Sequence, residues 1–145
     1  MQDLPHHYVV SARAEGTANV VVSSDNLPDL ETAGPPEFGG PGDVWSPETL
    51  LVAAVANCFI LSFRAIARKA KLDWQTLECT AEGELDKLDK FTQFTGFTVS
   101  AKLLIPDAAD EKKAGVILQK AEKYCLITNS MKADSHLSAE VVVAD

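Results

Sequence analysis

The chain has 145 residues, 46% hydrophobic and 23% charged, which suits one domain whose core needs no disulfide staples. A formal charge of −8 without a basic cluster argues against a phosphate-binding surface, and with it against a nucleic-acid partner. Three cysteines, behind an N-terminus (MQDLPHHYVV) that lacks a basic start and an apolar signal core, point to the reducing cytoplasm rather than a secreted framework.

In chain order, residues 1–45 read as a β-hairpin around Glu15-Gly16-Thr17 followed by an extended loop. That loop, Leu30 to Asp43, carries three Pro and four Gly, and loops of this length often cover something functional. Ser46-Pro47-Glu48 then signals a helix start: a capping hydroxyl, a proline suited to the first helical position, and an acid that favours the positive end of the dipole. The helix is predicted over 46–71. Its first half is apolar on every side, which predicts burial all round and makes it the central element. The largely apolar run, Leu50 to Phe63, is about 14 residues, short of the roughly 20 that span a membrane.

Residues 75–105 alternate with period two and form a hairpin. Leu77, Cys79, Ala81, Gly83 and Leu85 face inward on one strand; Phe91, Phe97, Val99, Ala101, Leu103 and Ile105 do so on the next. Helices follow over 107–131, with Val116, Ile117, Lys120, Ala121 and Tyr124 near helical spacing, and 135–143 closes as a strand. The predicted class is α+β: antiparallel sheets with helices packed on one face.

Each cysteine has its own setting. Cys79 lies on an inward strand face and reads as a small hydrophobe. Cys125 stands where a short helix could begin, and a helix N-terminus stabilises a thiolate. Cys58 is flanked by Asn57, a polar residue that would need partners if buried. On pattern alone Cys58 reads first as core filling, as most free buried cysteines do. Metal-ligand spacing is absent: there is no C-x₂-C or H-x₃-H, and His6-His7 has no ligand partners.

SPETLLVAAVANCF, followed much later by KAEKYCLITNSMKA, resembles the OsmC/Ohr family of osmotically inducible and organic hydroperoxide resistance proteins. The resemblance covers nearly the whole chain. It implies an OsmC-like fold and a thiol peroxidase without cofactor or metal. Cys58 would attack an organic hydroperoxide, and Cys125 would resolve the resulting sulfenic acid as a disulfide. A dithiol, of lipoyl type in this family, would restore the thiols. The family holds its thiolate with an Arg fixed by a Glu. Glu48 matches the Glu, but the hairpin turn reads AEGTAN, so that Arg13, just before it, is the candidate. Arg64 and Arg68 lie six and ten residues beyond Cys58, which are not helical neighbours. The resemblance also implies an intertwined homodimer with sites at the interface. A separation of roughly 15 Å between Glu48 and Cys58 along a helix agrees with residues supplied by a second subunit. Phe38, Trp45, Phe59 and Phe63 are candidates to line the substrate pocket. The alternative keeps the fold without the activity, as a small-molecule-binding or structural protein.

Overall fold

Valine-rich alternation near the N-terminus becomes an antiparallel sheet of three short strands, β1 (Ser11–Arg13), β2 (Val20–Ser23) and β3 (Leu30–Thr32), in the order β1-β2-β3. The computed structural model describes residues 1–145, which fall into two units, Met1–Leu50 and Leu51–Asp145. In the first unit the expected hairpin gains a third strand from the Gly/Pro segment, where Leu30 to Thr32 pairs with Val22 to Val20. The rest of that segment is a loop with one 3-10 turn, Pro36–Phe38. The loop doubles back so tightly that a Cβ on Gly40 would stand 1.6 Å from the Gly34 carbonyl oxygen.

Helix α1 (Pro47–Ala70) begins where the local signals place it. Ser46 Oγ accepts the Thr49 N–H at 3.1 Å, and Thr49 Oγ1 accepts the Ser46 N–H at 2.9 Å. This reciprocal cap satisfies two donors at once. Burial along the helix departs from the expectation. The buried residues are Val55, Phe59, Phe63 and Ala67, a single stripe at intervals of four, whereas Leu61 is 50% exposed and Asn57 is also exposed. Helical spacing puts only one face against the sheet of the second unit, so the Asn57–Leu61 face is left open. At 24 residues, with a mean hydropathy of 2.1 over 18 of them, α1 is long and apolar enough to cross a membrane. Its stripe is instead packed into the core cluster of the second unit.

The second unit is built on the sheet β4 (Thr76–Leu88), β5 (Phe91–Ile105) and β6 (Asp134–Val143), with β5 central. β4 and β5 form the expected antiparallel hairpin, but its register shifts between Glu84 and Leu85: Glu84 faces Gly96 and Leu85 faces Phe94. Thr95 is the extra residue, and its Oγ1 donates to the Glu84 side chain at 3.0 Å. One inserted residue exchanges the two faces of a strand. Phe94, not Phe91, therefore joins the inward row and stacks on Phe97 at 5.2 Å, while Phe91 is 72% exposed.

β6 pairs with β5 in parallel, from Gly96↔Asp134 to Ile105↔Val143, which corrects the expectation of wholly antiparallel sheets. β5 ends at Ile105, and helices α2 (Glu111–Lys123) and α3 (Leu126–Asn129) carry the chain back to the other end before β6 starts. Such a return is what parallel pairing requires. The buried side of α2 is Ala114, Ile117, Leu118 and Ala121; Val116 and Tyr124, expected on it, are exposed.

α1 packs tightly on the sheet at Gly83, where a Cβ would meet Val52 Cγ2 at 2.9 Å and Phe94 Cε1 at 2.8 Å. Gly83→Ala is expected to lower stability by about 1–3 kcal/mol, as overpacking does, read as a fall in the urea midpoint at unchanged slope.

Candidate active site

Cys58 is half-buried in the middle of α1, and Cys125, 2% exposed, is the N-cap residue of α3. A short turn holds Cys125 in place. Its N–H donates to the Glu122 carbonyl at 3.2 Å, and its carbonyl accepts from the Asn129 N–H at 3.0 Å and the Thr128 hydroxyl at 3.2 Å. Asn129 Nδ2 ties the same turn back to the Lys123 carbonyl at 3.0 Å. The polar stretch after Cys125 thus serves to fix the turn.

The turn faces Cys58. Burial is the largest influence on the Cys58 thiol and pushes it up; the Ile127 N–H, the Cys125 thiol, the Ser62 hydroxyl and the Leu126 N–H oppose it. Together these hydrogen bonds prevail, and Cys58 lies below its ordinary value. The Ile127 and Leu126 N–H groups at the start of α3 serve Cys58. Ser62 was missed in the sequence, although its spacing, four residues after Cys58 on a helix, marks it as a neighbour. Its Oγ lies 3.9 Å from Cys58 Sγ.

Cys79 packs against the core from β4, where burial and then the proximity of Cys125 push its thiol up to about 11. At neutral pH it stays protonated and a poor nucleophile.

The structure does not bring Arg13 to Glu48. Both belong to the first unit, but adjacent strand residues point to opposite faces of a sheet. Ala12 lines the same cleft as Glu48, whereas Arg13 stands on the other side with Glu15 and Glu31. The Arg13 guanidinium is 81% exposed and paired with Glu15 at 2.7 Å. Glu48 is left with a buried Oε2 that has no hydrogen-bond partner. Its cleft, about 460 Å³, is otherwise apolar and includes Val20, Val22, Pro35 and Phe38.

Of the other aromatic candidates, Phe59 and Phe63 are core residues at 1% and 0% exposure, with Phe63 edge-on to Trp74 at 5.3 Å. Their stripe faces the sheet, which is why they do not line an open pocket. Trp45 is half-exposed, and its carbonyl accepts the Ala33 N–H at 3.0 Å. No cluster of His, Cys, Asp or Glu is arranged to hold a metal ion.

Residues 40–140 match the family described as OsmC-like protein. The Bacillus subtilis protein YmaD is 28% identical over 143 residues, covering 95% of each chain. The organic hydroperoxide resistance protein of Xanthomonas axonopodis pv. citri is 29% identical over 132 residues, covering 88% of this chain and 87% of its own. Among solved structures, an OsmC-like protein from Vibrio cholerae superposes with a TM-score of 0.84 at 17% identity, covering 95% of this chain and all of the other (100%). At that identity the likeness establishes the fold.

The Cys79 shift has a consequence for stability. As pH rises from its ordinary 9.0 towards about 11, the unfolded chain gives up a proton that the folded chain retains. Cys79 therefore contributes stability that is fully present below pH 9.0 and lost as pH approaches 11. Urea titrations in this range should show stability falling with pH in the parent and a shallower fall in Cys79→Ala. An equal slope in both would remove the effect.

Proposed function

The chain belongs to the OsmC-like protein family, and on that premise we propose that it is a thiol peroxidase reducing organic hydroperoxides. The observation that carries this reading is a Cys58 thiol below its ordinary value with the Cys125 thiol in hydrogen-bonding reach. The hydroperoxide resistance protein of Xanthomonas, similar over 88% of the chain, supports the substrate class.

In the first step the Cys58 thiolate attacks the terminal peroxide oxygen. The O–O bond breaks, sulfur keeps the hydroxyl as a sulfenic acid, and the alkoxide takes a proton to leave as an alcohol. The Cys125 sulfur then displaces that hydroxyl: an S–S bond forms, the S–O bond breaks, and water departs with the Cys125 proton. An external dithiol, of lipoyl type as the resemblance implies, reduces the disulfide and becomes a disulfide itself. The donors aimed at Cys58 suit both halves of the sequence, since they favour a thiolate before attack and hold the second sulfur beside it afterwards.

A homodimer is part of the proposal. The open face of α1 carries Leu61, and Trp45, Tyr124 and Leu126 are further exposed large apolar side chains. Where such side chains adjoin, the apolar patch marks an interface. Light scattering at micromolar concentration should give about twice 15.6 kDa; a monomer would count against this part.

One observation favours a second reading. With Arg13 turned to Glu15, the apolar cleft at Glu48 is that of a binding protein that has kept the fold and lost the activity.

Hydroperoxide consumption with excess small dithiol separates the two. The parent should reduce cumene hydroperoxide faster than hydrogen peroxide, and Cys58→Ser should fall to the uncatalysed background. Cys125→Ser should still react once, leaving a sulfenic acid that a 1,3-diketone traps. A parent protein indistinguishable from background overturns the peroxidase and leaves a binding or structural protein.

A further inference from the structure

The groups of its own unit that lower the Cys58 thiol are neutral hydrogen-bonding ones. The arginines of the chain are Arg13, Arg64 and Arg68. Arg13 is engaged with Glu15, and Arg64 and Arg68 are exposed on α1. Helical geometry turns Arg64 about 120° away from Cys58, at roughly 100° per residue, so a guanidinium on that helix does not face the sulfur. The titratable group that does face it is Cys125, from the turn before α3; the remaining contacts are the Ser62 hydroxyl and the Ile127 and Leu126 N–H groups.

We propose that Ser62 is the fixed hydrogen-bond donor that holds Cys58 as a thiolate in this chain, the role otherwise open to a charged side chain. Ser62 Oγ is 3.9 Å from Cys58 Sγ, and both side chains are half-buried on one flank of α1. Between a neutral thiol and a hydroxyl either atom can donate. Once the thiol ionises it has no proton left, so the bond is kept only with the hydroxyl donating to sulfur. That bond is charge-assisted and stronger than the neutral one, and it therefore favours the ionised form.

Position distinguishes Ser62 from the other donors. The Cys125 thiol and the two N–H groups all belong to the turn before and into α3, so any movement that closes Cys125 onto Cys58 acts on them. Cys58 and Ser62 share one rigid helix, and their separation does not depend on that movement. Ser62 therefore keeps the thiolate favoured before the turn closes and again when reduction regenerates it. Competition comes from the helix itself, because a helical serine can instead donate to the carbonyl four residues back. For Ser62 that carbonyl belongs to Cys58, so the same hydroxyl needs only a rotation to serve the sulfur.

The inference rests on Cys58 being the attacking thiolate, but its test involves no peroxide. Reduced protein is alkylated with iodoacetamide across pH, and the Cys58 peptide is followed by mass spectrometry in the parent, Ser62→Ala and Ser62→Thr. Ser62→Ala should raise the Cys58 midpoint by about one pH unit, the scale of one hydrogen bond to a half-exposed charge. Ser62→Thr, which keeps the hydroxyl, should return most of the shift. An unchanged midpoint in Ser62→Ala, or an equal rise in both variants, overturns the assignment. A midpoint that moves in a protein unable to consume hydroperoxide removes the peroxidase reading and leaves this donor standing. A midpoint that stays put in an active enzyme does the reverse.

Discussion

The balance at the Cys58 sulfur, burial against a small set of hydrogen bonds, is the interaction on which the rest of the chemistry depends. A thiol placed in the middle of an apolar helix is pushed towards its protonated form, and in that form it does not attack. The fold reverses the balance by bringing the start of α3 onto the middle of α1, with the Ile127 and Leu126 N–H groups and the Cys125 thiol directed at one atom. That placement follows from the parallel return between β5 and β6, because α2 and α3 must traverse the sheet before β6 can begin. Topology puts the second sulfur where it is.

Cys79 shows what happens without such donors. It shares the core and lies near Cys125, and burial above all raises its thiol to about 11. Two cysteines of one unit are thus separated in reactivity by their surroundings alone. Within the first unit Arg13 stands across the sheet from Glu48 and pairs with Glu15. Glu48 keeps a buried oxygen without a partner, a feature that a second copy of the chain or a ligand in the cleft would relieve.

Local signals in the sequence were legible because they act over a few residues. Ser46-Pro47 fixed the start of α1, period two located β4 and β5, and the inward position of Cys79 followed from the same alternation. Non-local features were not. The extra residue at Thr95 exchanges strand faces, and nothing in its composition distinguishes it from a neighbour that does not. Parallel pairing of β6 depends on where the chain returns, which period two cannot express. Asn57 read as a buried polar residue because the helix is apolar all round; only the sheet decides which face is covered. At the candidate site the two cysteine contexts were recognisable, whereas Ser62 carries no charge and belongs to no motif that marks it. Its i+4 spacing was there to be read.

The most direct measurement of the central claim is a non-reducing peptide map after one equivalent of cumene hydroperoxide is added to reduced protein. The expected product is a cross-linked pair of peptides containing Cys58 and Cys125, with Cys79 recovered as a free thiol. A map with all three thiols free, or with Cys79 in the cross-link, would contradict the pairing of Cys58 with Cys125.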